Sequence, residues 1–319
     1  QALHTEVIEV PGMADRSLDI KAIYYLYKVF KKESMHIVHT HASLSARIAA
    51  KMAGVRYIVH TKHCIDFNIK KGIRTKVGAI LNSLLSDRMI AVGLAAKENL
   101  IFSGIAENKI IVVHNGVDPL NEIPLEDEER LKKRWGIEGK DVVIGIVARL
   151  EEIKGHTYFI EAASQVASDR NNVKFLIVGS GSMEEQLKEQ VKTLGLEKKI
   201  IFTGHMQEVE QVMNIIDIVV ISSISEALCL SLVEAMSLAK PCIATNTGGN
   251  PEVVLDGETG LLVPIKNSKQ LADSMIKLID NPLLRRKMGE KGKYIMIKNF
   301  TAQAMTRKIE QIYQGFIDG

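Results

Sequence analysis

Residues 217–264 read DIVVISSISEALCLSLVEAMSLAKPCIATNTGGNPEVVLDGETGLLVP. Within this stretch, DIVVISS, PCIAT and GLLVP are short runs of mostly apolar, often β-branched residues, which are typical of strands. A longer segment with helical spacing of its apolar residues separates the first two runs. Strands that alternate with helices predict βαβ units, and successive βαβ units build a parallel sheet.

The same alternation extends in both directions from this stretch. The first half contains the strand-like runs HTEVIEV, HIVHT, RYIVHT, RMIAV and KIIVVH, and the second half adds DVVIGIV, VKFLIVG and KIIFTG. Each half therefore predicts its own doubly wound, Rossmann-like sheet, which assigns the chain to the α/β class. A length of 319 residues also favours two domains over one.

The predicted domain boundary follows residue 118. Pro119, Pro124 and the acidic run EDEER interrupt the alternation, so we predict a linker over residues 119–140. The second domain is predicted over residues 141–300. Residues 301–319 have the pattern of an amphipathic helix with no strand after it, and we expect this helix to dock on the N-terminal domain.

The first strand-like run lacks the glycine-rich turn that follows the opening strand of a Rossmann unit, because PGMADRSLDI comes next. We therefore expect residues 1–118 to lack their opening strand and the loop after it. A domain without that strand should aggregate more readily, since an unpaired sheet edge exposes backbone donors.

Composition excludes several classes of protein. Charged residues interrupt every long apolar run, so no segment is long enough to cross a bilayer. The three cysteines, Cys64, Cys229 and Cys242, lack the spacing of a zinc site or a disulfide framework, which favours a reducing, cytoplasmic setting. No cluster of histidines and carboxylates predicts a metal, and we expect neither a metal nor a cofactor.

Charge is unevenly distributed between the halves. Residues 1–118 carry 16 Lys and Arg against 10 Asp and Glu, whereas the remainder carries 25 against 28. A basic first half could contact the inner face of an anionic membrane or a phosphorylated acceptor. The alternative is an ordinary solvated surface with a chance bias. No aromatic residues alternate with the basic ones, so nucleic acid is not an expected partner.

Two groups of residues lie where an open sheet binds ligands, at the carboxyl ends of strands. Arg149 and Lys154 follow the strand DVVIGIV, and two cations there can neutralise a diphosphate without a metal. An ordinary solvated loop is the alternative. The turn VGSGS, residues 178–182, could also bind phosphate, or its glycines could serve only to turn the chain.

The second group lies in the opening stretch. Glu226 falls in the turn after DIVVIS, and Glu234 lies inside the following helix. The start of that helix offers free backbone N–H groups near Leu230 and Ser231, which suit a phosphate. Glu226 can accept hydrogen bonds from sugar hydroxyls, and Glu234 from the ribose, although two glutamates on a helix are usually only solvated.

Taken together, these motifs resemble retaining glycosyltransferases of family four. The motifs are HTH at 39–41, TKH at 61–63, NGVD at 115–118, ARLEEIKG at 148–155, the Glu226 and Glu234 pair, TGGNPEVV at 247–254 and DGETGLLV at 256–263. The resemblance covers nearly the whole chain. It implies the GT-B arrangement, in which two Rossmann-like domains face each other across a cleft.

The resemblance also implies roles for individual residues. Arg149 and Lys154 would bind the donor diphosphate, and Glu226 would contact the transferred sugar with help from the backbone N–H groups of Leu228 and Cys229. Glu234 would bind the ribose. His63 would reach the sugar from the first domain. The other histidines at strand ends of this half, His36, His39, His41 and His60, are not placed by the resemblance, and we expect them to be packing or surface residues. The turn Gly204, His205 and Met206 would lie beside the base.

The expected activity is retaining sugar transfer from a nucleoside diphosphate sugar to a carbohydrate or lipid-linked hydroxyl, in polysaccharide or glycolipid synthesis. The acceptor-side N-terminal domain would lack its opening strand and the acceptor loop after it, so the chain should bind nucleotide well but transfer sugar poorly. Family members usually have glycine where this chain has Ala227, Cys229 and Ala239, and a side chain at 229 would lie close to the sugar. Two alternatives remain: an epimerase or hydrolase of the same fold, and a sugar-nucleotide-binding protein without turnover.

Overall fold

A computed structural model describes residues 6–10, 18–41, 43–65 and 72–318 of the chain. The chain divides into two compact units. Unit 1 comprises residues 1–113 together with 308–319, and unit 2 comprises residues 114–307. In the parts of the chain described, no helix has both the length and the apolar character needed to cross a membrane.

Unit 1 contains a four-stranded parallel sheet in the order β1-β2-β3-β4. Its strands are β1 (Ile37–His41), β2 (Tyr57–Lys62), β3 (Arg88–Ala91) and β4 (Ile110–Val112). Its helices are α1 (Ile20–Lys32), α2 (Leu44–Ala53), α3 (Ile73–Leu84) and α4 (Leu94–Ser103). Val38, Ala50 and Ile58 are central members of a small buried cluster beneath α2.

Polar caps fix the first helices of unit 1. The Asp19 side chain accepts a hydrogen bond from the Ala22 N–H at 2.9 Å, and Ser43 accepts one from the Ala46 N–H at 3.1 Å. Each cap satisfies a backbone donor that the helix itself leaves unpaired. Gly54 ends α2 with a φ of 75°, a left-handed conformation that favours glycine.

The first strand predicted for unit 1 is not a strand in the part that the structure describes. Residues 6–10 of the run HTEVIEV have no regular secondary structure, and the prediction of a strand is wrong for them. Val7 is 87% exposed and Ile8 is also exposed, so these apolar side chains are not buried as those of a core strand would be. Residues 4 and 5 of that run, and most of PGMADRSLDI, lie outside the described residues.

Unit 2 contains a six-stranded parallel sheet in the order β10-β9-β8-β5-β6-β7. The strands are β5 (Val142–Val147), β6 (Val173–Val178), β7 (Ile200–Gly204), β8 (Ile218–Ile221), β9 (Cys242–Thr245) and β10 (Gly260–Val263). The two parallel sheets confirm the predicted α/β class. Strand order reverses between β5 and β8, and open sheets of this kind bind ligands at the carboxyl ends of the strands flanking that point.

The helices of the second part of the chain follow the same alternation with strands as far as β10. They are α5 (Leu125–Arg134), α6 (His156–Asp169), α7 (Glu184–Thr193), α8 (Val209–Ile215), α9 (Leu230–Ser237), α10 (Asn250–Val253), α11 (Ser268–Ile279), α12 (Pro282–Asn299) and α13 (Ala302–Ile317). Phe159 on α6 meets Phe175 on β6 edge to face at 6.0 Å between ring centroids. Both rings are fully buried, and they anchor the core of unit 2.

The segment predicted as a linker is part of unit 2. Its backbone donates hydrogen bonds from Leu120 to Ser237 Oγ at 3.0 Å and from Ile123 to Asn214 Oδ1 at 3.3 Å. The segment also contains the ordered helix α5, whose Leu131 is buried. Proline and acidic residues, which suggested a linker, here begin a helix: Pro124 precedes α5 and three acidic residues occupy its first turn.

Helix α13 is divided between the two units. Its last residues belong to unit 1, where the Tyr313 hydroxyl lies 2.6 Å from His39 Nδ1 and Phe316 stacks on Tyr57 at 4.5 Å between centroids. These contacts attach the C-terminal end of α13 to β1 and β2.

Candidate active site

The loops that follow β5 and β8 lie against each other at the point where the strand order of unit 2 reverses. Ser222 Oγ donates to the Gly155 carbonyl at 2.9 Å, and the Ile224 N–H donates to the Ile153 carbonyl at 2.8 Å. Gly155 has a φ of 65°, and any side chain there would collide with the Ser222 carbonyl oxygen. Only glycine allows this approach.

Lys154 and Glu226 form an ion pair across these two loops. Lys154 Nζ lies 2.6 Å from Glu226 Oε1, and Ser223 Oγ donates to the same oxygen at 2.7 Å. The two side chains are only 19% and 9% exposed. The pair is thus partly shielded from water. Charge interactions in such a partly buried environment are stronger than at the surface.

A further segment, residues 245–250 at the end of β9, packs against the turn that contains Glu226. Thr245 Oγ1 donates to the Ser223 carbonyl at 2.6 Å, and the Gly249 N–H donates to the Glu226 carbonyl at 3.2 Å. Gly248 has a φ of 53°, and a side chain there would strike the Glu226 backbone. The motif TGGNPEVV, which sequence analysis used only as a family signature, therefore holds Glu226 in position.

A pocket of about 470 Å³ opens at the ends of β5, β6 and β7 and the start of α9. We call it the β5–α9 pocket. It is lined by Val147, Ala148, Arg149, Val178, Gly179, Ser180, His205, Met206, Val209, Ser231 and Glu234. Five of the residues predicted for the donor site are thereby brought to one cavity of the size that small ligands occupy.

The glycine-rich turn after β6 forms one wall of this pocket. A side chain at Gly179 would collide with the Ala148 carbonyl, and one at Gly181 with the Leu150 carbonyl. The Leu150 N–H donates to the Ser180 carbonyl at 2.9 Å. Close packing against the loop after β5 is therefore enough to explain why both positions are glycine.

Helix α9 contributes its first turn to the pocket. It begins at Leu230 after Cys229, and no side chain accepts a hydrogen bond at its N-cap. Ser231 Oγ donates to the Val147 carbonyl at 2.9 Å, which ties this turn to the end of β5. Glu234, one turn further, is partly buried, and burial raises the pKa of its carboxyl.

The remaining predicted residues of this region differ in exposure. Leu228 and Cys229 are buried, whereas Leu230 is exposed. Burial, together with the Glu226 carboxylate, raises the pKa of the Cys229 thiol to about 12. Cys229 is therefore an un-ionised, small side chain close to the ion pair. Gly204 ends β7 with a φ of 73° and directs the chain towards His205 and Met206.

His63 lies in unit 1, immediately after β2. Its Nε2 is 2.7 Å from His41 Nδ1, and the two rings stack at 5.0 Å between centroids. His41 in turn stacks on His39 at 4.7 Å. Burial, with a smaller effect of His41, lowers the pKa of His63, and burial lowers that of His39 to about 4.

Sequence analysis did not identify His41 as a partner of His63. The signal was present, because HTH and TKH end adjacent parallel strands and His41 pairs in register with Thr61. No group of three or more histidine, cysteine or carboxylate side chains capable of holding a metal occurs in the described residues.

Comparison with known protein families shows which family the chain belongs to. Residues 127–294 match the model for glycosyl transferases group 1, and residues 2–119 match that for glycosyltransferase family 4. The chain is a group 1 glycosyltransferase. The family predicted from the motifs is confirmed, and the two sheets belong to the GT-B fold.

Named relatives agree with this glycosyltransferase assignment. The UDP-Gal:α-D-GlcNAc-diphosphoundecaprenol α-1,3-galactosyltransferase of Escherichia coli is 30% identical over 92% of this chain and 79% of its own length. The capsular polysaccharide biosynthesis glycosyltransferase CapM of Staphylococcus aureus is 26% identical over 97% and 84%. The crystal structure of a glycosyltransferase from Rickettsia africae superposes with a TM-score of 0.82, at 26% identity over 96% and 84%.

Proposed function

We propose that this glycosyltransferase moves a sugar from a nucleoside diphosphate sugar to a hydroxyl of a carbohydrate or lipid-linked acceptor, with retention of anomeric configuration. The observation that carries the proposal is the convergence of Arg149, Ser231 and Glu234 on the β5–α9 pocket. Arg149 and the helix start at Ser231 suit a diphosphate, and the carboxylate of Glu234 suits the hydroxyls of a ribose. The name of the Escherichia coli relative, which specifies a UDP-sugar and a lipid diphosphate acceptor, supports the same classes of substrate.

In this proposal the nucleotide occupies the β5–α9 pocket. The Glu234 carboxylate accepts hydrogen bonds from the ribose hydroxyls, as acidic residues of Rossmann-like sheets do. Arg149 and the N–H groups at the start of α9 bind the diphosphate, since a guanidinium and a helix N-terminus both favour phosphate. His205 and Met206, across the pocket, contact the base.

The sugar then lies towards Lys154 and Glu226. Glu226 is held by Lys154 and Ser223, an arrangement suited to hydrogen bonding with sugar hydroxyls rather than to nucleophilic attack. Lys154 follows Arg149 by five residues in the loop after β5, and in this proposal it shares the charge of the leaving group. The two cations, together with the helix N-terminus, supply electrostatic stabilisation without a metal ion.

Retention follows from how the bonds exchange. The bond between the anomeric carbon and the diphosphate oxygen breaks through an oxocarbenium-like transition state, and the acceptor oxygen bonds to that carbon on the same face. The acceptor proton passes to the departing phosphate oxygen, so charge and atoms balance. The enzyme contributes positioning and stabilisation of the developing diphosphate charge.

Calorimetric titration with UDP, GDP and ADP tests the nucleotide site. At least one should bind, and Glu234→Gln should weaken that binding, whereas Glu185→Gln, on the exposed face of α7, should not. NMR analysis of the product made from an α-linked donor tests retention. Binding unaffected by Glu234→Gln would refute the pocket assignment, and a β-linked product would refute retention.

A further inference from the structure

A second pocket of unit 2 opens where α6 and α7 begin. It has a volume of about 350 Å³ and shares no described lining residue with the β5–α9 pocket. We call it the α6–α7 pocket. Lys154 and Glu226 lie outside its lining, whose polar side chains include Glu152, His156, Thr157, Tyr158, Gln186 and Lys266.

His156 is the feature of this pocket that points to a ligand. It is the first residue of α6, lines the pocket and is only 2% exposed. Within the ranges that the structure describes, neither ring nitrogen has a hydrogen-bond partner. Buried polar atoms are nearly always hydrogen-bonded, because burial without a partner forfeits their hydrogen bonds to water. A ligand in the pocket would supply the missing partner.

The backbone at the start of α6 offers further donors. Its N-cap is Gly155, so no side chain of that residue accepts a hydrogen bond from the first N–H groups of the helix. A capping side chain is excluded there, because a Cβ at Gly155 would collide with the Ser222 carbonyl oxygen. Packing therefore explains the uncapped start of the helix, but it does not explain the unpartnered ring of His156.

The charges around the α6–α7 pocket favour a neutral ligand over an anion. Glu151 and Glu152 offset the positive charge of Lys266. Hydrogen bonds from Ser182 lower the pKa of Glu151, so this carboxylate is ionised at neutral pH. Burial, with a smaller effect of Lys154, lowers the pKa of His156 to about 4, so its ring is uncharged. The described residues also contain no group suited to hold a metal ion.

Hydroxyl groups match the hydrogen-bonding capacity of this lining. A neutral imidazole has one N–H donor and one nitrogen acceptor, and a hydroxyl can pair with either, whereas a phosphate oxygen only accepts. The Gln186 amide also offers both a donor and an acceptor. Ligand pockets range over about 300–1,000 Å³, and a pocket near the lower limit suits a single sugar ring.

We propose that the α6–α7 pocket binds one neutral sugar residue, separately from the nucleotide. A free monosaccharide and the end of a glycan share this chemistry. The proposal does not rest on the assignment of the donor pocket or on retention. Lys266, with a φ of 58°, holds a left-handed conformation at the edge of the pocket, and strained residues of this kind cluster at ligand sites.

Saturation-transfer NMR on the whole chain tests this proposal. The probes are methyl α-glucoside, methyl α-galactoside and N-acetylglucosamine. At least one should bind, with a dissociation constant on the order of 1 mM for so small a ligand. Inorganic phosphate and UDP should not displace it. Disaccharides that end in the same sugar distinguish the two sources: tighter binding identifies a glycan end, and equal binding identifies a single sugar.

Three variants connect that binding to the α6–α7 pocket. His156→Leu should weaken sugar binding by about tenfold or more, and Gln186→Ala and Lys266→Gly by about threefold each, as expected for the loss of hydrogen bonds. Glycine at 266 also keeps the left-handed backbone accessible. Glu185→Ala, next to Gln186 on the exposed side of α7 and outside the pocket lining, is the matched control and should bind like the wild type.

Urea unfolding checks that each variant is folded, and the exposed position of Gln186 makes its variant informative even if His156→Leu unfolds. The proposal is overturned if none of the sugars binds, if phosphate or UDP displaces the bound sugar, or if Gln186→Ala and Lys266→Gly both bind it as the wild type does.

Discussion

Lys154 Nζ lies 2.6 Å from Glu226 Oε1, although the two residues are 72 positions apart in the sequence. The resemblance to family four assigned them to different parts of the donor, the diphosphate and the sugar. In the proposed function, this contact would couple the groups on either side of the bond to be broken before any ligand binds. Each therefore influences the position of the other.

Removing one member of this ion pair should destabilise the protein more than removing both charges. Lys154→Met leaves a partly buried carboxylate without its cation, which should lower the free energy of unfolding by about 1–3 kcal/mol. Lys154→Met combined with Glu226→Gln should recover part of that loss. Urea unfolding of the single and double variants measures the coupling, and strictly additive effects would show that the pair contributes nothing.

Glu234 and Glu226 should affect different steps. Glu234→Ala should weaken binding of free nucleoside diphosphate by roughly 10-fold or more, because a charge-assisted hydrogen bond contributes about 1.5–3 kcal/mol. Glu226→Ala should leave nucleotide affinity nearly unchanged and reduce the rate of transfer. Titration and turnover of both variants check this, and equal losses of nucleotide affinity would remove Glu226 from the sugar subsite.

Nucleotide binding should not depend on a divalent metal. Affinity for the nucleoside diphosphate measured with and without chelator should agree, because Arg149 and Lys154 provide the positive charge. Arg149→Ala combined with Lys154→Ala should then cost several kcal/mol of diphosphate or transition-state stabilisation, at about 1.5–3 kcal/mol for each charge-assisted bond. A large loss of affinity on chelation alone would contradict the prediction.

Gly248→Ala should impair catalysis beyond its effect on backbone strain. Gly248 and Gly257 both have positive φ, but only at Gly248 would a side chain meet the Glu226 backbone. Gly257→Ala should cost about 1 kcal/mol of stability and preserve activity. Gly248→Ala should lower stability by more than this and reduce turnover by displacing Glu226. Similar turnover in the two variants would argue that the loop around Gly248 does not position Glu226.

His156 should make the protein less stable in acid. In the described part of the chain neither ring nitrogen has a hydrogen-bond partner, and burial, aided by Lys154, lowers the pKa of His156 to about 4. The unfolded chain therefore binds more protons between about pH 6.5 and 4, so this contribution to stability is complete above pH 6.5 and lost as the pH falls to about 4.

The corresponding variant is His156→Leu. It should flatten the pH dependence of the unfolding free energy across that window and should be neutral or stabilising by about 1 kcal/mol at pH 5, since it removes an unsatisfied buried polar group. Urea denaturation at several pH values measures this. An unchanged slope would show that His156 does not titrate as its burial indicates.

Much of the fold could be predicted from the sequence because its signals are local. Apolar runs such as DVVIGIV mark buried parallel strands, and their order along the chain limits the possible topologies. Local patterns were misleading where tertiary contacts decide the outcome. Residues 6–10 belong to a run with strand-like composition but do not form a strand, and Val7 there is exposed. Residues 119–140 have linker composition, yet their backbone bonds to unit 2.

The candidate site was less predictable, because its contacts are long-range. Strand-end positions predicted that Arg149 and Glu234 would lie at the same edge of the sheet, and both line the β5–α9 pocket. The bond from Lys154 to Glu226 depends on side-chain rotamers across two distant loops, which no local pattern encodes. The pairing of His41 with His63 was signalled by two motifs at the ends of adjacent strands, but the stacking of their rings was not. The roles of these residues in transfer stay predictions.

The adjacency of β5 and β8 also bears on how the enzyme is made. Ile144 pairs with Ile218, so the central strands join only after β6 and β7 have been synthesised and a long intervening loop has closed. Loop closure over such a distance is entropically costly and slows folding. Neither the ion pair nor the start of α9 can form on the ribosome until the chain beyond β8 has emerged. A nascent chain that stalls before this point contains Arg149 and Lys154 but no Glu226 or Glu234. It would lack part of the proposed donor site, and with it the stability that a bound nucleotide would add.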